Sequence, residues 1–301
     1  MAKVTQRDAG HRVFDWVCYV VFTALTLACV LPFYYIFINT ISNNMLVSQG
    51  RVMFIPVGIH FENYINAFKL NALPRAALVS LSRTILGTAF TLLAASFPAY
   101  AFAHREFWHR KLFYRMMVAT MYINAGVIPI FLTYKTLGLY NSYWVYILPS
   151  VNSAFNMILC KTYIESIPAA LEESAEIDGA GYLKRYALLV MPLSLPILAT
   201  ISIFSAVGHW NAYMDTVLYI VDSKLYSLQF VLYQYLNEAN AVQEILRNDP
   251  SAMAGRDPAT LLSPITVRYT VSIITALPIL VVYPFAQRYF IKGIMIGAVK
   301  G

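Results

Sequence analysis

TILGTAFTLLAASFPAYAFA, residues Thr84 to Ala103, runs for twenty positions without an Asp, Glu, Lys or Arg. As a helix it would be roughly 30 Å long, the thickness of a bilayer's hydrocarbon core. Five further stretches share the property. They are Trp16 to Gly50 (apolar over about 16–41), Met116 to Tyr134, Thr136 to Cys160, Tyr186 to Met214, and Tyr269 to Gln287. The pattern predicts an all-α membrane protein with six transmembrane helices. Composition agrees: 59% of the 301 residues are hydrophobic, 12% are charged, and mean hydropathy is +0.58. A soluble domain carries about 25% charged residues, so this chain has too little polar surface to cover a water-soluble fold. Disordered, collagenous and disulfide-stapled classes fall to the same figures. Cys18, Cys29 and Cys160 all lie in apolar stretches without metal-site spacing and read as small buried hydrophobes.

A net charge of +7 would suggest nucleic acid in a soluble protein, but here it orients the chain. With the N-terminus in the cytoplasm, the cytoplasmic segments carry 3, 4, 3 and 3 Lys and Arg residues and the opposite segments 4, 1 and 4. The tightest cluster, Arg105, Arg110, Lys111 and Arg115, then occupies a short cytoplasmic loop, where the positive-inside rule weighs most. The first apolar run outlasts a signal peptide's h-region and ends in no cleavage-type sequence, so it reads as a retained helix. The expected organisation is a cytoplasmic N-terminus at 1–15, a six-helix domain at 16–287, and a cytoplasmic tail at 288–301, so both termini are cytoplasmic. A cytoplasmic loop covers 161–185. Two longer segments face the other side, at about 42–80 and 215–264; in the second, Ser227 to Arg247 reads as a helix ended by Asn248-Asp249-Pro250.

No acidic residue falls inside the six stretches, and intramembrane carriers of protons need such groups at depth. Paired broken helices in inverted halves, frequent in sodium-coupled carriers, are not visible either. The chain contains no G-x-x-x-x-G-K-[ST] phosphate cradle, so uphill transport would draw its energy from another subunit. A membrane-embedded enzyme would need a nucleophile or metal set at depth. Of His11, His60, His104, His109 and His209, only His209 falls inside a span, without an acidic neighbour there.

Polar side chains within the spans are candidates for a solute path, because burying them against lipid is costly. Asn152 and Asn156, four apart, would share one helical face, with Ser153 beside them. Tyr122 and Asn124 lie in the third span, and His209, Trp210, Asn211 and Tyr213 near the end of the fifth. Aromatic faces beside amides suit a sugar's CH face and its hydroxyls. Interhelical hydrogen bonding would use the same residues, and Trp210 could instead anchor at the interface. Arg83 and Arg268 read as snorkelling residues at helix ends, available to an acidic polymer.

The loop between the fourth and fifth spans runs IPAALEESAEIDGAG from Ile167 to Gly181. Pro168 suits a first helical turn, Glu172 and Glu173 sit early where the macrodipole favours anions, and Gly179 stands where a left-handed cap is expected. Leu171, Ser174, Ala175 and Asp178 would share one face, small enough for another protein to approach closely. This loop resembles the EAA motif of importer-type ABC permeases. Glu173-Ser174-Ala175 is followed at the motif's spacing by Gly179, Leu189 and Met191-Pro192, with Ser174, Leu189 and Met191 as conservative departures. His209-Trp210-Asn211 is similar to a pair common in carbohydrate permeases, and the tail Lys292 to Gly301 to a subgroup importing oligo- and polysaccharides.

The resemblance implies the ABC importer permease fold and a permease subunit, with no catalytic residue or metal of its own. A second, different permease chain, two ATPase subunits that bind ATP and Mg, and an extracytoplasmic solute-binding protein would complete the machine. The substrate would be a glycan, alginate or another acidic polymer among the possibilities, and another small polar solute is the alternative. The helix around 168–181 would be a coupling helix on one ATPase, with Leu171, Glu172, Glu173, Ser174, Ala175, Asp178 and Gly179 in that role. Glu173 would pair with a basic group and Gly179 would allow the turn.

Overall fold

A computed structural model describes residues 9–69, 72–237 and 265–284. It is helical, with no strand among the described residues. Three helices are each long and apolar enough to cross a membrane, those covering Val13–Thr40, Ala72–Ala103 and Ile265–Pro284. A bent pair, Tyr182–Leu193 and Leu195–Asn211, qualifies as a fourth if its two parts are one span. The tail at 288–301, the end of the sixth stretch and residues 238–264 lie outside the described residues; 228–237, the start of the helix expected after Ser227, is helical.

The chain divides into two compact units. In the first, the helix Ala9–Thr40 is apolar on every side and leaves Trp16, Tyr19 and Phe22 exposed, the surface expected of a helix set in lipid. Its polar end is tied down. The Thr40 hydroxyl meets that of Tyr64 at 2.8 Å, Asn63 Nδ2 donates to Thr40 O at 2.9 Å, and Ser42 Oγ donates to Ile38 O at 2.6 Å. Ile38, Val47 and Val52 form a small core there.

The second unit is built around the helix Ala72–Ala103. It extends twelve residues before Thr84, so the expected loop at 42–80 is shorter than its sequence suggests, and Arg83 falls within the helix. Small residues on it admit close neighbours: Ala95 and Ala99 pack with Met157, Cys160, Ile164, Leu198 and Ile201 from the helices Ala154–Ile164 and Leu195–Asn211. At Gly87, an added Cβ would lie 2.3 Å from two atoms of the His209 ring, so only glycine lets that ring seat.

Two expected spans are not continuous helices. The third divides into Arg110–Thr120 and Val127–Thr136, because Gly126 adopts φ 81° and Asn124 Oδ1 accepts from the Gly126 N–H at 2.9 Å, closing a turn. The fourth divides into a 3₁₀ turn Tyr143–Tyr146 and the helices Leu148–Val151 and Ala154–Ile164. Asn152 is extended at φ −91° and ψ 99°, and Ser153 Oγ restarts the helix by accepting from the Asn156 N–H at 3.3 Å. The fifth bends by 78° between Leu193 and Leu195. Pro192 and Pro196 flank that bend, and each removes a helical donor.

Candidate functional site

Where the second unit's helices break, they leave a cavity of about 510 Å³. The Ala72–Ala103 helix supplies Arg83 and Thr91, the interrupted fourth stretch Tyr146 and Asn156, and the segment after the bend His209 and Asp215. Arg83 is 1% exposed, neither snorkelling nor free. Its guanidinium forms a fork on Asp215: Nη1 donates to Oδ1 at 3.3 Å and Nη2 to Oδ2. Nη1 also donates to Ala212 O at 3.3 Å, and the guanidinium sits 4.2 Å over the Tyr146 ring.

The fork belongs to a larger network. Asp215 Oδ1 accepts from the Thr216 N–H at 2.8 Å, and the Tyr146 hydroxyl donates to Leu225 O at 2.7 Å. The Thr216 and Ser227 hydroxyls meet at 3.0 Å, and Ser80 Oγ accepts from the Leu228 N–H at 2.8 Å. These bonds fasten the chain from Ala212 to Leu228 onto the long helix, by the buried pairing that a charge in an apolar setting requires.

Sequence reasoning missed this centre. Asp215 stands just past the fifth charge-free stretch and Arg83 just before the second, so each looked like a span boundary. The helix-compatible run from Ala72 to Ser82 was the one sign that Arg83 is interior.

The expected path residues do not converge as a set. Asn156 and His209 line the cavity. Asn152 does not: the helix restarts at Ser153, so the shared face with Asn156 is lost. Tyr122 is 86% exposed, and the Asn124 side chain is used by its own turn. Trp210 is buried and its Nε1–H donates to Thr275 O at 3.0 Å, which makes it a packing residue rather than an interfacial anchor. Asn211 is exposed at the end of its helix, and Tyr213 stacks on Tyr233 with centroids 5.0 Å apart.

The motif loop forms a second candidate surface. Its helix covers Ala169–Ile177, and Pro168 stands just before the first turn as N-cap. Gly179 adopts φ 77°; its N–H donates to Glu176 O at 2.9 Å and that of Ala180 to Ala175 O at 2.9 Å, a left-handed C-terminal cap. The acidic residues divide. Glu172 turns inward, with Oε2 3.0 Å from His104 Nε2, and Glu176 holds Arg185 at 2.6 Å. Glu173 is exposed and makes no hydrogen bond or ion pair among the described residues. Leu171, Ser174 and Asp178 are exposed, Ala175 half-buried, and Ile177 is 87% exposed.

Beneath the loop, the Tyr182 hydroxyl donates to the Glu106 carboxylate. These contacts brace the loop helix against the end of the long helix from below and leave its outer face bare.

A family profile described as "Binding-protein-dependent transport system inner membrane component" matches residues 87–296. The chain is 36% identical over 291 residues to the polygalacturonan/rhamnogalacturonan transport system permease protein YtcP of Bacillus subtilis (strain 168), covering 97% of this chain and 99% of that protein. It is 28% identical over 288 residues to the melibiose/raffinose/stachyose import permease protein MelC of the same organism, covering 92% and 95%. Its structure matches a chain in the crystal structure of a bacterial ABC transporter involved in the import of the acidic polysaccharide alginate. The TM-score is 0.84 at 30% identity, with 95% of this chain and 100% of that chain covered. A chain of a bacterial alginate ABC transporter in complex with an alginate pentasaccharide-bound periplasmic protein shares the fold at TM-score 0.53 and 16% identity, covering 94% and 96%.

Proposed function

Because the chain belongs to the family of binding-protein-dependent transport system inner membrane components, we propose that it is the permease subunit of an ATP-driven importer of oligo- or polysaccharide. The supporting observation is full-length likeness to permeases named for glycan import, joined to a loop helix braced from beneath and bare outside. In this reading the subunit sits in the cytoplasmic (inner) membrane with six spans and both termini in the cytoplasm. The two interrupted stretches and the bent one each count as one crossing. A second permease completes the pathway, two ATPase subunits bind and hydrolyse ATP with Mg, and an extracytoplasmic binding protein delivers the glycan, with the segment at 215–264 as its docking region. This chain supplies no catalytic group.

The loop helix is the coupling element. Leu171, Ser174 and Asp178 face the ATPase, Glu173 offers its free carboxylate to a basic group there, and Glu172 fixes the helix from behind through His104. Rigidity matters because a short element transmits force only when it is held at both ends, here by the Glu172–His104 contact in its first turn and by the Gly179 cap and the Glu176–Arg185 pair at its end. Asn156 and His209 belong to the solute path, and Asn152, Tyr122, Asn124, Asn211 and Tyr213 are reassigned to structure.

The test is purification of the tagged chain from its host in mild detergent, with crosslinking and mass spectrometry of its companions. A nucleotide-binding ATPase and a second permease are expected. Recovery of the chain alone after crosslinking would overturn the reading.

A further inference from the structure

Where the long helix Ala72–Ala103 ends, the next residue turns its ring onto the loop helix. His104 Nδ1 lies 2.9 Å from Tyr100 O, and Nε2 lies 3.0 Å from Glu172 Oε2. A peptide carbonyl has no hydrogen to give, so Nδ1 is the donor in the first contact. The neutral ring holds one N–H only. With that spent on Tyr100, the other nitrogen presents a lone pair to a carboxylate oxygen, and the contact is repulsive. It becomes an ion pair when a second proton lies between the two side chains. Between an imidazole and a carboxylate that proton resides on the stronger base, the imidazole.

The surroundings favour the cation. Glu172 Oε1 is buried without a hydrogen-bond partner, and the carboxylate makes no other ion pair among the described residues. The His104 ring faces Tyr100 from its own helix, with centroids 4.3 Å apart, and Tyr182 from the segment after the loop, at 5.9 Å. Around them stand Glu106, which accepts from Tyr182, and Glu176, which pairs with Arg185 at 2.6 Å. The Arg185 guanidinium sits 4.5 Å over the Tyr182 ring. Among these groups three carboxylates are set against one guanidinium, an excess of negative charge that a cationic ring offsets. Arg110, on the following helix, is committed to Ala103 O at 3.3 Å, and Arg105 and Lys184 are exposed. The His104 side chain is 18% exposed and lines a cavity of about 320 Å³, so water reaches the ring.

We propose that His104 is a positioning residue for energy coupling: as the imidazolium it ties the end of the long helix to Glu172, and loss of one proton releases the front of the loop helix. This rests on the coupling reading above and adds a pH dependence to it. The protonated ring makes both contacts. The tie is therefore complete at the acid end of the range in which imidazoles titrate, about pH 5–8, and is lost toward the alkaline end. The Gly179 cap and the Glu176–Arg185 pair hold the other end independently of this proton, so release loosens the helix from its front.

The test uses the complete transporter with its binding protein in proteoliposomes, at about pH 6 and about pH 8 on both sides of the membrane. One readout is hydrogen exchange over Ala169–Ile177, corrected for the intrinsic rate. The other is saccharide taken up per ATP hydrolysed, with stachyose and, separately, tetragalacturonate. From the lower to the higher pH, wild-type exchange should rise and uptake per ATP should fall, each by roughly threefold or more. Glu172→Gln is the decisive variant. Its amide N–H donates to a neutral Nε2 and its oxygen accepts from a protonated one, so both readouts should stay near the acid wild-type value at either pH. His104→Phe keeps a ring against Tyr100 and Tyr182 but has no donor, so both readouts should be flat at the loosened value.

A wild type whose two readouts are the same at both pH values would overturn the inference, as would a Glu172→Gln variant that changes with pH as wild type does. Exchange that responds in wild type while uptake per ATP stays constant would overturn the role in coupling. A wild-type complex that neither saccharide stimulates would instead overturn the glycan-import reading, and the exchange readout would still decide the tie.

Discussion

Replacing Asp215 by Asn keeps the size of the side chain and removes the charge that Arg83 requires. The guanidinium, 1% exposed, would then sit in an apolar helix bundle with an amide in place of a carboxylate. Removing one partner of a buried ion pair costs about 3–5 kcal/mol, because the remaining charge stays desolvated. Asp215 keeps 22% of its side chain exposed, so water reaches one edge of the pair and places the loss near the lower end, about 3 kcal/mol. At about 2–4 °C per kcal/mol for a domain of 150–250 residues, the thermal midpoint should fall by roughly 6–12 °C.

Arg83→Met together with Asp215→Asn removes the orphaned charge and should recover most of that loss, since apolar replacement of a buried pair is often neutral. Thermal unfolding of the detergent-solubilised complex, followed by size-exclusion fluorescence, measures the midpoints of wild type, Asp215→Asn, Arg83→Met and the double variant. The reasoning is refuted if Asp215→Asn unfolds within about 2 °C of wild type, or if the double variant loses the sum of the two single losses.

Gly87→Ala would push a methyl group into the buried His209 ring and should cost about 1–3 kcal/mol, read as a lowered midpoint in the same assay. At Gly179 an added Cβ meets no neighbour within 4 Å, so the main cost of Gly179→Val is the φ of 77°; the variant should leave the subunit in the membrane and separate ATP hydrolysis from uptake. Normal uptake by that variant would count against the coupling role. Ser153→Ala removes the cap that restarts the helix at Ala154 and should cost about 1 kcal/mol, visible as faster hydrogen exchange over 154–158.

Local rules made the loop helix readable. Pro168, the early glutamates and Gly179 act through neighbours within four residues, and their helix appeared with its cap in place. The apolar cores of the first, second and sixth stretches were readable for the same reason. The interruptions at Asn124 to Gly126 and at Asn152-Ser153 were not, because an absence of charge says nothing about continuity. There the signals were turn-forming: a glycine at positive φ, and a serine accepting from the N–H three residues on. The Arg83–Asp215 pair lay further out of reach. Its members are 132 residues apart in the chain, and only the packing of separate helices brings them into register.

The helix Ala72–Ala103 contributes to both the cavity and the braced loop. Arg83 lines the one, while Tyr100 lies near the helix end at which His104 meets Glu172. About twenty residues of helix, roughly 30 Å, separate Arg83 from Ala103. A beam of that length is a lever arm: a tilt of about 10° pivoting at Arg83 would carry its far end roughly 5 Å, more than the width of a hydrogen bond. Pro98, within the last turns, lacks the amide hydrogen that would stiffen the beam there, so the compliant joint lies close to the loop. In such a tilt the arm would deliver leverage over most of its length and give way at the end nearest the motif.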